Sequence, residues 1–167
     1  MSLRLYSFVN FYLSSIQQGV QTGHAAVDLV RKYSKVSLTD PVNAMMVDRW
    51  ADDHKTFIIL NGGNMASMTS ILGAAALSGY PYASFYEDSD SLGGILTCVA
   101  VVLPEKVWGA ERDRAAERMA YEQGINVGPC YLYDYIDSDE KHETIKYRSN
   151  DKVHPLLHTL KSSSLAR

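Results

Sequence analysis

The spacing of hydrophobic residues divides the first part of the chain into a strand and a helix. Residues 3–13 are rich in Tyr, Phe, Val and Leu and contain few breakers, which is typical of a mostly buried strand. Helical spacing follows in the positions of Ala25, Ala26, Leu29, Val30 and Tyr33. We therefore predict a helix over residues 20–35 that starts near Gly19 and packs on the sheet.

A second helix, a short strand and a third helix follow. Asp40 or Thr39 is suited to cap a helix whose first residue is Pro41. Residues 55–64 form a short β-rich run that ends in Asn and Gly, and residues 64–79 then open with Asn64 and close on Gly79. This order of turn and capping residues predicts a strand, a tight turn and a capped helix.

Two further strands are predicted over residues 80–88 and 94–104, with the acidic, glycine-containing loop "DSDSLGG" between them. The predicted order is β-α-α-β-α-β-β. Alternation of strands with helices of this length favours an α/β fold, because helices serve as crossovers between parallel strands. We expect a three-layer α/β/α arrangement around a mostly parallel or mixed sheet of about four strands.

The remaining residues differ in pattern from this core. Residues 105–124 predict a charged amphipathic helix, residues 125–136 predict an extended segment, and "DEKHETIKYR" (139–148) predicts a solvated helix face or turn. Without a linker in between, residues 1–108 are expected to form the core, and residues 109–167 a C-terminal extension packed on the same domain. The apolar "GPCYLYDYI" also leaves open an extension that covers a cleft or mediates a homodimer.

Composition sets limits on the class of protein. Hydrophobic residues make up 46% and charged residues 21% of the chain, as in globular proteins. The two cysteines have no metal-site spacing, and no apolar run approaches the roughly 18 residues of a membrane span, so we expect a cytoplasmic protein. Residues 1–140 carry 10 Lys/Arg and 17 Asp/Glu (−7), and residues 141–167 carry 6 and 2 (+4). So few cations favour a solvated tail over a nucleic-acid footprint.

Several short motifs are similar to known binding sites, but their residues do not support such a site. "NGGN" (61–64) lacks the Lys-Ser/Thr of a phosphate loop and is interpreted as a turn followed by a helix cap. "DSDSLGG" has Leu92 where a calcium loop needs an oxygen ligand. His154 and His158 have helical spacing, but no further ligands complete a metal set. We predict neither a metal nor a cofactor.

The order of segments resembles the type 2 peptidyl-tRNA hydrolases. In that family the first strand leads into a stretch of the form G-K-x-A-A-Q-x-x-H-A, and Gln21, His24 and Ala25 of "IQQGVQTGHAAVDLV" match it in spacing. The strand–helix–strand of residues 57–88 ends in an aspartate, and "LTCVAVVLP" is similar to the family's T-x-x-x-x-x-P strand. The resemblance spans residues 3–108.

This resemblance implies specific roles. Asp88 and Thr97 fall on the family's catalytic Asp and Thr, Gln21 and His24 fall on substrate-binding positions, and tRNA is the implied partner. Gln17 stands where the family has its catalytic Lys, and Ile16 replaces the preceding Gly. Two hypotheses follow: a divergent hydrolase of a peptide–tRNA or related ester, and a non-catalytic relative that binds RNA, a nucleotide or a protein in the same cleft.

Overall fold

The computed structural model describes residues 2–35, 39–112, 114–124, 131–136, 142–147 and 154–166. The first part of the chain follows the predicted order. Its elements are β1 (Leu3–Asn10), α1 (Ser15–Lys35), α2 (Pro41–Arg49), a π-helical turn (Trp50–His54), β2 (Phe57–Gly63), α3 (Met65–Leu77), β3 (Tyr82–Tyr86), a short helix α4 (Ser89–Leu92) and β4 (Leu96–Pro104).

These strands form one mixed sheet of four strands in the order β2-β1-β4-β3. β1 pairs in parallel with β2, while β4 runs antiparallel to both of its neighbours, β1 and β3. The carboxyl ends of β1, β2 and β3 therefore lie at the same end of the sheet as the beginning of β4. This end of the sheet, named here the site end, carries the polar residues discussed below.

Apolar side chains cover both faces of the sheet and create three layers. On one face, residues of α1 and α2 such as Leu29 and Val47 pack on Leu5 and Val102. On the other face, Met68 of α3 belongs to a cluster with strand residues and with Leu156, Leu157 and Leu160. The predicted α/β/α class with a mixed sheet is confirmed.

Helix α1 begins five residues earlier than predicted. Ser14 precedes the helix, and its hydroxyl accepts a hydrogen bond from the Gln17 N–H at 3.4 Å, while Gln17 Oε1 accepts from the Ser14 N–H at 3.0 Å. This reciprocal pair is a capping box, which satisfies backbone donors at a helix start. Gly19 therefore lies within α1 and does not begin it, and the prediction of a start near Gly19 was wrong.

The predicted caps of the next two helices are confirmed. Asp40 accepts a hydrogen bond from the Asn43 N–H at 3.3 Å, and Pro41 is the first residue of α2. Asn64 accepts from the Ser67 N–H at 3.1 Å at the start of α3. In "NGGN" the predicted cap is Asn64, but β2 continues through Gly63 where a turn was predicted, and a Cβ on Gly62 would collide with Met68 Sδ.

The C-terminal part departs from prediction in two places. Residues 105–124 do not form one helix but divide into α5 (Glu105–Trp108), β5 (Glu111–Arg112) and α6 (Arg114–Glu122), since the chain turns after α5 to bury both Val107 and Ala110. The predicted solvated helix face at residues 139–148 instead contains β7 (His142–Tyr147), which pairs with β6 (Tyr131–Ile136) and completes a second sheet in the order β5-β6-β7.

Helix α7 (His154–Ser162) returns the chain to the first sheet. Three leucines of α7 are core residues beside α3, and the segment after the helix runs antiparallel to β2. The Asn61 N–H donates to the Ser164 carbonyl at 2.9 Å, and the Ala166 N–H donates to the Ile59 carbonyl at 3.0 Å. This tail covers the outer edge of β2. In the ranges that the model describes, no helix is long and apolar enough to cross a membrane.

Candidate active site

Helix α1 presents three of the predicted site residues on one face. Gln17, Gln21 and His24 are spaced by four and three residues, and this spacing places side chains above one another on a helix. Gln21 is buried and His24 is exposed. Gln21 is therefore the residue through which α1 contacts the ends of β3 and β4.

A hydrogen-bonded chain links Thr97 to Gln21 and Gln21 to a carboxylate. The Thr97 Oγ1 lies 3.4 Å from Gln21 Oε1 and 3.2 Å from the Phe85 carbonyl oxygen, and Gln21 Nε2 donates to Glu87 Oε2 at 2.7 Å. Thr97 is the second residue of β4, and Glu87 directly follows β3. Residues from α1, β3 and β4 thus meet at the site end.

The carboxylate fixes the orientation of the Gln21 amide. An ionised carboxylate only accepts hydrogen bonds, so the amide nitrogen must face Glu87 and the amide oxygen must face Thr97. Thr97 then donates its hydroxyl proton either to Gln21 or to the Phe85 carbonyl. The hydrogen bond from Gln21 Nε2 holds the Glu87 carboxylate in one position.

Solvent accessibility differs among the three hydrogen-bonded side chains. Thr97 is fully buried and Gln21 is 6% exposed, whereas Glu87 is half-buried. Glu87 is therefore the member of the cluster that a substrate or a water molecule can reach. Thr97 contacts Gln21 and the Phe85 carbonyl but is not itself accessible.

Asp88, the predicted catalytic aspartate, lies one residue beyond Glu87 and is exposed. It occupies the N-cap position of α4 but makes no side-chain capping hydrogen bond. The Glu87 N–H still pairs with the Ile95 carbonyl at 3.0 Å, so the alternation of strand side chains continues past β3. Glu87 accordingly points the same way as Phe85, towards α1, and the structure brings Glu87 rather than Asp88 to Gln21.

His24 contacts the same strand through its ring. The imidazole stacks on Phe85, with the ring centroids 4.7 Å apart and an interplanar angle of 14°. Because His24 lies three residues after Gln21 on α1, the stacking positions the helix against the end of β3 beside Glu87.

Gln17, which stands where the family has its Lys, is exposed and takes part in the cap of α1. Its Oε1 accepts from both the N–H and the hydroxyl of Ser14, each at 3.0 Å. These contacts turn Nε2 away from Ser14, and Nε2 donates no hydrogen bond within the described residues. The site end thus offers one neutral amide donor at this position and no ammonium group.

A second polar group lies directly beside the first and is sealed. Ser7, Thr22 and Cys98 are all buried under α1. Burial raises the pKa of the Cys98 thiol to about 12, although the Ser7 and Thr22 hydroxyls partly oppose this increase. Neither hydroxyl makes a well-formed hydrogen bond within the described ranges. Cys98 is therefore a protonated, inaccessible thiol and an unsuitable nucleophile.

In the part of the chain that the model describes, no group of three or more His, Cys, Asp or Glu side chains could hold a metal ion. Sequence reasoning missed Glu87 and the buried Asn10, whose Nδ2 donates to the Leu96 carbonyl at 3.4 Å. A signal for Glu87 exists in the two-residue alternation that starts at Phe85, and a signal for Asn10 exists in a polar residue that ends an apolar strand.

Comparison with known proteins gives the family. The family model of "Peptidyl-tRNA hydrolase PTH2" matches residues 14–107, which is more than half of the chain and includes α1, β3 and β4. A search of curated proteins found no match. The match fits a peptidyl-tRNA hydrolase-like function, related to tRNA as substrate, at the level of the family. With the capped helix, the mixed sheet and the polar cluster at the site end, the chain belongs to the type 2 peptidyl-tRNA hydrolase family.

Proposed function

We propose that the protein hydrolyses the ester between a peptide and the 3′ end of tRNA, or a related ester, with Glu87 as the general base. The observation that carries the proposal is the 2.7 Å hydrogen bond from Gln21 to Glu87, beside the buried Thr97. A general base must be within hydrogen-bond reach of the water that it activates, and a half-buried, oriented carboxylate meets this requirement.

The reaction runs in two steps with the groups at hand. Glu87 accepts a proton from water as the oxygen attacks the ester carbonyl, and a tetrahedral oxyanion forms. The intermediate then expels the 3′ oxygen, which takes the proton back from Glu87, so that a free carboxylic acid and a 3′ hydroxyl leave and Glu87 is again a carboxylate. Gln17 Nε2 is the neutral donor for the oxyanion, because its Oε1 is committed to Ser14.

The test is release of labelled peptide from an N-acetylated aminoacyl-tRNA by the purified full chain. We expect release that increases with protein concentration, and a loss of about 10²- to 10⁴-fold in the Glu87→Gln variant, since this range is typical for a general base. Release no faster than in buffer at high protein concentration would remove the assignment.

The second candidate is a non-catalytic relative that uses the cleft for binding. One observation favours it: residues 10–26, 61–78 and 84–98, which build the site end, contain no Lys or Arg and carry Glu87, Asp88 and Asp90. Nucleic-acid affinity depends largely on cations that neutralise phosphates. Such a site has little electrostatic attraction for the body of a tRNA.

Substitution at Gln17 separates the two candidates. Gln17→Lys restores the ammonium group of the family, and an added preorganised charge at an oxyanion can increase the rate by about 10²- to 10³-fold. Gln17→Met is the matched control, because it also removes the contact with Ser14 but adds no charge. A gain confined to Gln17→Lys indicates a divergent enzyme, whereas equal rates in both variants support the binding protein.

A further inference from the structure

A small cavity lies at the β2 edge of the site end, whereas the Gln21–Glu87 pair lies beside β3. It has a volume of about 350 Å³ and is lined by Phe11, Gln18, Asn61, Ser164, Leu165 and Ala166. Phe11 and Gln18 come from the loop after β1 and from α1, Asn61 from β2, and the last three residues from the C-terminal tail. The tail lies outside the region that matches the family, so this cavity contains a wall that the family match does not supply.

Two side-chain amides in the cavity have orientations that the backbone fixes. Gln18 Nε2 donates to the Leu13 carbonyl at 3.0 Å, and Asn61 Oδ1 accepts from the Gly63 N–H at 2.8 Å. A carbonyl only accepts and an N–H only donates, so neither amide can be reversed. Gln18 therefore keeps Oε1 as an acceptor, and Asn61 keeps Nδ2 as a donor, and neither atom has a partner within the described residues.

The acceptor is of particular interest because Gln18 is only 7% exposed. Gln18 Oε1 is not one of the buried side-chain atoms without a partner, so this acceptor remains accessible to a ligand while Nε2 is held by the Leu13 carbonyl. Asn61 lines the same cavity with the complementary group. The cavity thus offers one acceptor and one donor, and none of its lining residues carries a charge.

Phe11 adds a flat apolar surface at the same place. Its N–H donates to the Gly63 carbonyl at 3.1 Å, and the Tyr12 N–H donates to Asn10 Oδ1 at 3.2 Å, so the loop is fixed while both rings remain exposed. The Phe11 and Tyr12 rings lie 4.0 Å apart, which supports the Phe11 ring from one side. Aromatic side chains held in this way are stacking surfaces for nucleobases.

We infer that this cavity binds adenine, with the ring stacked on Phe11, the exocyclic amino group donating to Gln18 Oε1 and a ring nitrogen accepting from Asn61 Nδ2. Asn and Gln are the side chains that pair with adenine through one donor and one acceptor. The inference rests on the proposed function, because the nucleoside at the 3′ end of tRNA is adenosine. It adds that recognition is confined to this terminal nucleoside.

The position of the cavity suits such a substrate. Gln18 and Gln21 are three residues apart on α1, which corresponds to about 4.5 Å along the helix axis. The ribose would then lie between the base on Gln18 and the esterified 3′ oxygen near Gln21 and Glu87. The absence of Lys and Arg from the segments of the site end has an explanation in this arrangement, since a single nucleoside presents no phosphate to neutralise.

Binding of free adenosine to the full chain, measured by calorimetry or ligand-observed NMR, tests the inference without any need for hydrolysis. Asn61→Asp keeps the acceptor for the Gly63 N–H but replaces the donor by an acceptor, so we expect adenosine affinity to fall by about tenfold or more. Phe11→Leu should weaken binding by a similar factor through lost stacking. Guanosine should bind the wild-type protein more weakly than adenosine.

Asn64→Asp is the matched control. It introduces the same charge three residues away, at the cap of α3, where aspartate is also a good capping residue, and adenosine affinity should not change. No binding of adenosine by the wild-type protein, or equal losses in Asn61→Asp and Asn64→Asp, would overturn the inference.

Ester substrates distinguish failure of the cavity from failure of the proposed reaction. The pair to compare is the N-acetylaminoacyl ester of adenosine and the same ester of methyl riboside, which lacks a base. Adenosine binding without hydrolysis of either ester leaves the adenine site and removes the hydrolase. Hydrolysis of both esters with equal kcat/KM leaves the hydrolase and removes the adenine site.

Discussion

Two polar groups lie next to each other between α1 and the sheet, and they are built from neighbouring residues. Gln21 and Thr97 belong to the group that ends at Glu87, whereas Thr22 and Cys98 belong to the sealed group that also contains Ser7. The first group has a hydrogen bond for each side chain and reaches solvent through a carboxylate. The second has no charged member and two hydroxyls without well-formed partners in the described ranges.

Polarity and burial do not by themselves make a functional site. Thr97 and Cys98 both lie on the α1 face of β4, because the register between β3 and β4 shifts next to them. The 100° step of a helix, in contrast, turns Gln21 and Thr22 in different directions. Only one direction leads to the site end, where a carboxylate can act on a ligand. The other leads into the core, where a hydroxyl costs free energy and a thiol cannot ionise.

The largest expected effect tests the Glu87 group. Glu87→Gln preserves an acceptor for Gln21 Nε2 and removes the base, so we expect kcat for ester hydrolysis to fall by about 10²- to 10⁴-fold with little change in thermal stability. Asp88→Asn removes a neighbouring exposed carboxylate and should leave kcat nearly unchanged. A larger loss in Asp88→Asn than in Glu87→Gln would return the role of base to Asp88.

Glu87 and Asp88 show which part of the candidate site could be predicted from the sequence. The resemblance to the family identified the correct stretch of chain and the convergence of α1 with Thr97, because the order of segments is a property of sequence. It assigned the catalytic carboxylate to Asp88 and gave no indication of Glu87. The choice between the two depends on whether the strand alternation continues past Tyr86, which the pairing of Glu87 with Ile95 decides.

Local signals explain which elements could be predicted. Asp40, Pro41 and Asn64 act within a few residues of themselves, and the helices that they cap begin where expected. The start of α1 has an equally local signal, the capping box of Ser14 and Gln17, but the glycine at position 19 favours a later start. Two glycines within α1 cost helix propensity, and packing of Ala25 and Leu29 on the sheet offsets that cost.

The structure of the C-terminal part depends on tertiary contacts. The charged pattern of residues 105–124 fits a helix, but burial of Val107 and Ala110 against the core divides it after Trp108. The tail near Ser164 forms a wall of the Asn61 cavity, although residues 55–64 and 163–166 are far apart in sequence. Pairings at such separation have no local signature in one sequence.

The next largest effect concerns alkaline stability and the sealed group. Above the thiol's usual pKa of 9.0, an unfolded chain releases the Cys98 proton, while the folded chain holds it until about 12. The raised pKa therefore contributes stability that is present below pH 9 and is lost as pH rises, by about 1.4 kcal/mol per pH unit. In Cys98→Ala the free energy of unfolding should fall less steeply above pH 9 than in the wild type, as measured by urea denaturation at several pH values.

Burial also raises the pKa of Tyr6 and Tyr33, so the wild-type curve contains their contributions too. The difference between the wild-type and Cys98→Ala curves isolates the thiol, since both proteins retain both tyrosines. Parallel curves above pH 9 would show that Cys98 ionises in the folded chain, and the group would then not be sealed.

The smallest effect compares one substitution in the two groups. Thr22→Val removes a buried hydroxyl without a well-formed partner and keeps the β-branched shape, so the free energy of unfolding should stay the same or increase by up to about 1 kcal/mol. Thr97→Val removes a hydroxyl that donates to the Phe85 carbonyl or to Gln21 and leaves that buried acceptor without its donor, so the free energy of unfolding should decrease by about 1 to 3 kcal/mol. Opposite signs in chemical denaturation would confirm that neighbouring polar residues differ in function because of their partners, and equal losses would contradict it.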